Sequence, residues 1–498
     1  MLNITTFLDA NACRLTKPVF HCPERNTSYT SSDILGIISG IARTLKSLGV
    51  TKGDRVLLYL NSSPEYLFSY LALWRIGAVA VPTNRVYTRN ELAYMIENAE
   101  ARVFITDADG AAAASGLGVT VYVPEHIEEL RSSPVLPPEP TGFDDLCQLQ
   151  YTSGTTGKPK GAMLTHGNWL AAIHNECDVL TLKQDDVYLG IYPMGHVGLS
   201  WGIAAMRAGA CYIMMERYDP DIYLALCRNH RVTVLSGMPP VIHFLVNAPA
   251  GTEDAVAAVR EIISGGGPLH HEIWKNFHNR YNIPVINAYG LSETVVIGTG
   301  TVIRPEDYAS ADRFQSVGHP VCFSEVKIVD ETDASRELPA ETPGEIALRG
   351  PAVARGYWKM PEETAKAFLP DGWFLTGDVG YLDKDHRLCL TDRKKDMIVM
   401  SGWKIYPTEV EEALIKHPDV AEIAVFGVPH PHRGEIPVAA VVWRTGRDGP
   451  DREAGLLAFA REHLAGYKVP RKLYTVDALP RVNGWKLLRR ELREMFAQ

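Results

Sequence analysis

The chain has 498 residues, which is too long for one hydrophobic core, since single cores stop growing at roughly 250–300 residues. Its net charge of −9 and its sequence pI of about 6.0, without a basic run, argue against binding to a nucleic-acid backbone. The eight cysteines show no C-x-x-C pair and no zinc spacing, which indicates buried, reduced thiols in a cytoplasmic protein. Because no basic segment followed by an apolar run stands at the N-terminus, we expect no secretory signal.

Strands alternate with helices between residues 30 and 120. The predicted strands are Arg55–Leu60, Gly77–Pro82 and Val103–Thr106, and the predicted helices are Glu65–Ile76 and Thr88–Ala99. The alternation returns between residues 230 and 290. It predicts two α/β sheets of the parallel type, covered by helices.

The segment Gly190–Met215 is apolar except for His196 and Arg207. Pro193 and several glycines interrupt it, whereas a membrane-spanning helix needs about 20 mostly apolar residues without such breaks. We therefore expect a buried loop followed by a core helix and no transmembrane segment, which leaves peripheral contact with a membrane open.

The pattern changes after about Ser310. Short strands at Val326–Val329, Glu345–Arg349 and Arg387–Thr391 are separated by Gly, Pro and Asp turns, which predicts a small β section. The charge cluster Asp392–Asp396 follows and marks a shift in composition. The predicted organisation is a large N-terminal body over 1–392, a hinge over 393–396 and a mobile C-terminal domain over 397–498.

The last hundred residues read as an independent α+β unit. Pro407 suits the first turn of a helix that Pro418 ends. Strands are predicted at Val420–Val428 and Val438–Trp443, and a helix at Glu453–Leu464.

The most informative segment is Tyr151–His166, which reads YTSGTTGKPKGAMLTH and precedes a helical run at Asn168–His174. Its hydroxyls donate hydrogen bonds, its glycines let backbone N–H groups approach an anion closely, and its lysines add positive charge. These properties suit a polyphosphate. Only two residues separate Gly154 from Gly157, so the segment differs from the P-loop of NTPases.

The run TSGTTGKPKG over 152–161 resembles the signature of the adenylate-forming superfamily, which includes acyl-CoA synthetases, non-ribosomal peptide synthetase adenylation domains and firefly luciferase. Other segments resemble further motifs of that superfamily, in order, across nearly the whole chain. They are Asn61–Glu65, Gly77–Pro82, Tyr192–His196, Ser264–Leu269, Ala288–Glu293, Thr376–Asp378 and Asp392–Asp396.

The resemblance implies an AMP-forming acid–thiol ligase that uses ATP, Mg²⁺ and coenzyme A. Tyr289 offers a flat face for adenine, and Asp378 can accept hydrogen bonds from the ribose hydroxyls. Arg393 presents several N–H donors in a rigid plane. Glu293 is a hard oxygen ligand for magnesium, with Thr156 as a second ligand. The implied nucleotide-binding residues are Thr152, Ser153, Gly154, Thr155, Thr156, Gly157, Lys160, Gly265, Gly266, Gly267, Asn287, Ala288, Tyr289, Gly290, Ser292, Glu293, Asp378, Arg393 and Lys486.

The resemblance also implies the residues that meet the acid and the thiol. Lys486 bridges the substrate carboxylate and the α-phosphate, Glu293 holds magnesium, and His196 positions the reactants near the path of the thiol. Lys395 is the hinge residue. The implied acyl pocket is His196, Val197, Leu199, Trp201, Gly202, Gly267, Val295 and Gly298, and the implied CoA segment is Ser401, Gly402, Trp403 and Lys404.

One position departs from the family pattern. The family usually has glycine before the catalytic lysine, whereas this chain has Trp485, which resists backbone angles that glycine tolerates. Two alternatives therefore stay open beside the acyl-CoA ligase: a free-standing enzyme that loads a carrier-protein thiol, and a catalytically weak ligand-binding relative. The apolar pocket favours a fatty or aromatic monocarboxylate. The sequence does not specify the oligomeric state.

Overall fold

The computed structural model describes residues 3–152, 159–267, 269–304, 316–444, 451–482 and 486–496. Within these ranges the chain forms a large N-terminal body of three sheets and a smaller C-terminal domain, which confirms the predicted α/β class. The predicted elements are present, with ends that differ by a few residues.

The first sheet has at one edge the two strands that flank residues 153–158 of the polyphosphate motif. It has six strands, and its parallel part confirms the β/α alternation of residues 30–120. Across the sheet the strands are Thr120–Tyr122, Val103–Thr106, Arg55–Tyr59, Val79–Thr83, Leu146–Thr152 and Lys160–Thr165. The helices of this half are Thr6–Ala12, Ser31–Ser47, Pro64–Arg75 and Arg89–Ala99.

The helix after the motif begins earlier and ends later than predicted. Thr165 and Asn168 cap each other's backbone N–H groups, so the helix is His166–Val179 rather than Asn168–His174. The indole of Trp169 on this helix lies edge-on to that of Trp74, 4.7 Å away between ring centroids, in the main core. The helix therefore packs against the helix Pro64–Arg75 beside the first sheet.

The second sheet has nine strands, parallel at its centre. Across the sheet they are His319–Pro320, Val296–Val302, Val285–Leu291, Glu261–Ser264, Val234–Ser236, Val187–Gly190, Cys211–Met214, Phe20–Cys22 and Thr27–Tyr29. Its helices are Ser200–Ala208, Pro220–His230, Pro239–Asn247 and His271–Tyr281.

The apolar segment 190–215 folds as a turn, the helix Ser200–Ala208 and a buried strand, which confirms the predicted loop and core helix. None of the helices in the described ranges is long and apolar enough to cross a membrane.

The third sheet is antiparallel and consists of Glu325–Val329, Gly344–Arg349, Phe374–Leu382 and Leu388–Arg393, beside the helix Pro361–Ala367. The next strand, Ile398–Met400, belongs to a different sheet. That sheet contains Trp403–Ile405, Ile398–Met400, Gly434–Trp443, Val420–His430 and Leu473–Thr475. The C-terminal helices are Pro407–Leu414, Arg452–His463 and Arg489–Phe496, and a hairpin pairs Arg481–Val482 with Lys486–Leu487. The change of sheet falls at the predicted hinge, whose role stays a prediction.

Candidate active site

Three of the predicted nucleotide-binding side chains meet between the second and third sheets. Tyr289 lies near the end of the strand Val285–Leu291, and its hydroxyl donates to Asp378 Oδ2 at 2.8 Å. Asp378 and Arg393 are register partners on neighbouring strands, with Arg393 Nε 3.4 Å from Asp378 Oδ1. Burial raises the pKa of Asp378 and the Arg393 charge opposes that shift. An aromatic face, a carboxylate and a guanidinium are thus held together.

Glu293 lies on a short turn, Ser292–Thr294, and is only 7 % exposed. Its Oε1 accepts from the Tyr357 hydroxyl at 3.0 Å and from Thr152 Oγ1 at 3.5 Å. Burial raises the pKa of Glu293, and the hydrogen bond from Tyr357 opposes the rise. The carboxylate therefore lies beside Thr152, which begins the TSGTTGKPKG run.

The backbone after this turn is strained. Val295 and Val296 have φ of 48° and 53°, in the left-handed region that β-branched residues rarely adopt. Such strain persists only where the surrounding structure enforces it, and it concentrates at functional sites.

Lys160 lies on the other side of Tyr357. Its ammonium group is 5.1 Å from the centroid of the Tyr357 ring and forms an ion pair with Glu363. Tyr357 and Glu363 were missed by sequence reasoning. The only local signal was an aromatic pair, Tyr357–Trp358, after a glycine; the contacts themselves join residues 64 and 203 positions apart.

The glycine strip follows the strand Glu261–Ser264, next to the strand that carries Tyr289. Ser264 and Asn287 are register partners, and a Cβ on Gly265 would lie 3.1 Å from Ala288 O. Gly266 has a φ of +80°, which glycine adopts without strain. The strip therefore lies close against the backbone at Ala288, and Gly290 beside it has no space for a side chain.

The segment predicted to line the acyl pocket is mostly buried. Val197, Leu199, Trp201 and Val295 are at most 6 % exposed, and His196 is half-buried. Two predicted pocket glycines mark close packing. A Cβ on Gly202 would meet the Tyr212 ring at 2.4 Å, and one on Gly298 would meet Ala352 Cβ at 2.5 Å. These glycines allow secondary-structure elements to approach one another.

Lys486 lies on the hairpin of Arg481–Val482 with Lys486–Leu487 in the C-terminal domain. Desolvation lowers the pKa of the half-buried His270, which follows the glycine strip in the chain, to about 4, and the charges of His243, Arg489 and Arg481 add to the fall. The backbone of Lys486 pairs with Val482. Asn483–Trp485 lie outside the described residues, as do the predicted nucleotide-binding residues Ser153, Gly154, Thr155, Thr156 and Gly157.

The predicted CoA segment is exposed in this arrangement. Trp403 is 59 % exposed and stacks on Tyr467, with 4.9 Å between ring centroids. Lys404 Nζ lies 2.7 Å from Glu331 Oε1 of the N-terminal body. Ser401 and Gly402 form a tight turn with left-handed backbone angles. The predicted hinge residue, Lys395, has its pKa lowered by burial and by the neighbouring Arg393.

Known proteins resemble this chain over nearly its whole length. Residues 8–358 match the family model of the AMP-binding enzyme, and residues 409–484 match that of the AMP-binding enzyme C-terminal domain. The chain is 33% identical to a feruloyl-CoA synthase of Amycolatopsis sp over 491 residues, covering 94% of each chain. It is 36% identical to a 2-succinylbenzoate–CoA ligase of Geobacillus kaustophilus over 490 residues, covering 97% of each.

A solved structure shares the whole architecture. ATP-bound MatB from Rhodopseudomonas palustris superposes with a TM-score of 0.90 at 30% identity, covering 100% of this chain and 99% of that one. Apo MatB from the same organism gives a TM-score of 0.78 at 31% identity, with the same coverage.

The chain therefore belongs to the AMP-binding enzyme family of the adenylate-forming superfamily. Within that superfamily it is an AMP-forming acid–thiol ligase.

Proposed function

We propose that the protein is an ATP-dependent acyl-CoA ligase. It converts a carboxylic acid and ATP into an acyl-adenylate and pyrophosphate, then transfers the acyl group to coenzyme A and releases AMP. The acid is a fatty or aromatic monocarboxylate with an apolar tail. The observation that carries the proposal is the joint placement of Tyr289, Asp378, Arg393 and Glu293 around one site beside the glycine strip.

The nucleotide is held by groups that match its parts. The Tyr289 ring offers a face to adenine, and Asp378 Oδ1 and Oδ2 accept from the ribose hydroxyls, with Arg393 as a fixed donor. The hydroxyl- and glycine-rich segment after Thr152 wraps the phosphates.

The residues at Glu293 fit a magnesium ion. Its carboxylate and the Thr152 hydroxyl are hard oxygen donors in one place, and Thr156 is the second proposed ligand. When bound, Mg²⁺ neutralises charge on the phosphates of ATP.

Adenylation needs no general base, because a carboxylate is already ionised at neutral pH. Lys486 supplies a cation where the substrate carboxylate and the α-phosphate meet, which stabilises the charge of the transition state. His196 positions the carboxylate, and the residues around it exclude water.

The second half-reaction needs a different arrangement of the domains. Ser401–Lys404 then line the path of the pantetheine thiol, and Lys395 absorbs the change in backbone angles. The name of one relative refers to feruloyl-CoA and that of another to 2-succinylbenzoate, which supports an aromatic acid.

The test is a pyrophosphate-release assay over a panel of acids, with and without CoA. At least one apolar acid is expected to release pyrophosphate, and CoA is expected to yield its thioester. In the same assay Lys486→Ala should lower the rate of adenylation by roughly 10²–10³-fold, as expected for one lost transition-state contact. In a separate reaction, the same variant should still form the CoA thioester from supplied acyl-adenylate.

Two results would contradict the proposal. If no acid leads to pyrophosphate release, the protein does not adenylate acids and the proposed activity is wrong. Release that never leads to a CoA thioester would instead point to a carrier-protein acceptor.

A further inference from the structure

The backbone at Tyr357 is fixed to the strand that follows the polyphosphate motif. Tyr357 is a bridge partner of Ala162 on the strand Lys160–Thr165. The next residue along the chain, Trp358, donates its backbone N–H to Gly161 O at 2.8 Å. Tyr357 is therefore held in one position relative to that strand.

The side chain of Tyr357 is fixed as well. The residue is only 8 % exposed, and its ring lies edge-on to that of Phe368, with 5.3 Å between ring centroids. The Lys160 ammonium group lies 5.1 Å from the centroid of the Tyr357 ring. Because burial and these neighbours restrict rotation of the ring, its hydroxyl group is directed to one place.

That place is the carboxylate of Glu293, which the same segment also holds through the backbone. Ala354 N donates to Glu293 O at 2.7 Å. The Tyr357 hydroxyl donates to Glu293 Oε1 at 3.0 Å, whereas Thr152 Oγ1 is 3.5 Å from the same oxygen, which is long for such a bond. Tyr357 therefore supplies the shorter of these two hydrogen bonds to the carboxylate.

The hydroxyl of Tyr357 is a neutral donor. Among the described residues, no Lys, Arg or His forms an ion pair with Glu293, and the nearby Lys160 is paired with Glu363 instead. A cationic partner would offset the negative charge that attracts Mg²⁺. A hydroxyl group orients the carboxylate and leaves that charge available to the metal.

We propose that Tyr357 is a positioning residue for the magnesium ligand Glu293. Its hydroxyl keeps the carboxylate in one orientation beside the motif that wraps the triphosphate. The role assigned to Tyr357 rests on the proposed function and adds to it a residue that acts through Glu293. Loss of a hydrogen-bond partner of a metal-ligating group typically lowers metal affinity by about 10–100-fold.

The test measures binding of an ATP analogue by calorimetry and does not depend on turnover. In α,β-methylene-ATP the bond broken during adenylation is replaced, so its Kd can be measured in excess Mg²⁺ and in EDTA. The ratio of the two Kd values is the magnesium gain. Tyr357→Phe removes the hydroxyl and keeps the ring, so it should lower the magnesium gain by roughly 10–100-fold and leave the Kd in EDTA unchanged.

Two further comparisons show whether Tyr357 acts through Glu293. In a Glu293→Ala background, Tyr357→Phe should cause no further loss of magnesium gain, because the group it orients is gone. Tyr281→Phe is the matched control: its hydroxyl donates to Leu245 O at 2.6 Å in a contact between two helices. This control should keep the wild-type magnesium gain.

The outcomes separate the role of Tyr357 from the function on which it rests. An unchanged magnesium gain in Tyr357→Phe, or equal losses of affinity in Mg²⁺ and in EDTA, would overturn the positioning role. A further loss in the Glu293→Ala background would do the same. If Tyr357→Phe alone does not fold, the comparison within that background decides, since no buried carboxylate is left unpaired there. Wild-type protein that binds the analogue under neither condition would overturn the proposed function itself.

Discussion

At Glu261, burial raises the side-chain pKa by more than an ion pair with Arg260 lowers it. It begins the strand Glu261–Ser264, is 2 % exposed, and has Arg260 Nη1 2.5 Å from its Oε1. Burial nevertheless raises the pKa of Glu261 to about 7, with Arg260 opposing the rise and Asp186 adding to it. Arg260 is shared, because it also pairs with Asp186. The desolvation of Glu261 is therefore only partly compensated.

This shift predicts how stability depends on pH. Between about pH 4.3, where an unfolded glutamate titrates, and about pH 7, the folded protein keeps the proton that the unfolded chain loses. Stability contributed by Glu261 is complete below that window and is lost as pH rises through it. Glu261→Gln cannot titrate, so it should gain about 1–3 kcal/mol relative to wild-type between pH 4.5 and 7.5.

Thermal unfolding followed by calorimetry at several pH values measures this difference. The melting temperatures of wild-type and Glu261→Gln should diverge as pH rises and run parallel above about pH 7. Parallel curves over the whole range would mean that Glu261 is ionised in the folded protein.

At the scale of elements, Gly298 sets the distance between a helix and a strand. It lies on the strand Val296–Val302, and a Cβ there would be 2.5 Å from Ala352 Cβ and 2.8 Å from Ala172 Cβ. Neither contact involves a flexible side-chain end, so the backbone must move. Gly298→Ala is expected to lower the free energy of unfolding by about 1–3 kcal/mol.

A glycine in the same body provides the control. A Cβ on Gly142 would lie 4.0 Å from its nearest neighbour, Asp144 N, so Gly142→Ala should leave stability unchanged or raise it slightly. Urea denaturation of both variants measures the difference. Equal midpoints would show that the helix His166–Val179 separates from the strand at little cost.

The elements near the site were the most predictable part of the chain. Strand Val103–Thr106 was predicted with the ends it has, and the helix at Pro407 begins where proline permits. These elements follow from local patterns of apolar residues, proline and glycine. The close approach at Gly298 depends on side chains 126 positions away at Ala172, which no local pattern reveals.

The site was predictable only in part for the same reason. Motif order indicated Tyr289, Asp378 and Glu293, because each lies in a segment with a chemical pattern of its own. Tyr357, which donates to Glu293, lacks such a pattern.

At the scale of the whole molecule, the proposed mechanism requires the C-terminal domain to rotate between the half-reactions. The Ser401–Lys404 segment, which is proposed to meet the thiol, is exposed in the present arrangement. The proposal expects that exposure before the rotation, when the acid is adenylated.

Glu331 stabilises this arrangement from the side of the N-terminal body. Its Oε1 lies 2.7 Å from Lys404 Nζ, and its backbone oxygen accepts from Lys394 Nζ at 2.7 Å. The Lys404 side chain is 48% exposed and that of Glu331 is 8% exposed, so the pair contributes little, about 0.2–1 kcal/mol. A weak contact suits the rotation proposed for the C-terminal domain between the half-reactions.

Glu331→Gln should therefore shift the balance between the half-reactions rather than abolish either. Loss of about 0.2–1 kcal/mol lowers the rate of adenylation by less than about fivefold, whereas thioester formation from supplied acyl-adenylate stays equal or rises, because Lys404 is released. Glu325→Gln is the matched control. Glu325 forms an ion pair with Arg349 at 2.6 Å entirely within the N-terminal body, so both half-reactions should keep their wild-type rates. Pyrophosphate release and CoA-thioester formation, measured separately at low and high salt, distinguish the two variants. The effect of Glu331→Gln should shrink at high salt, since salt already screens the attraction between the exposed Lys404 ammonium group and Glu331 in the wild-type protein. A parallel fall in both half-reactions would assign Glu331 to stability of the fold instead of to the position of the C-terminal domain.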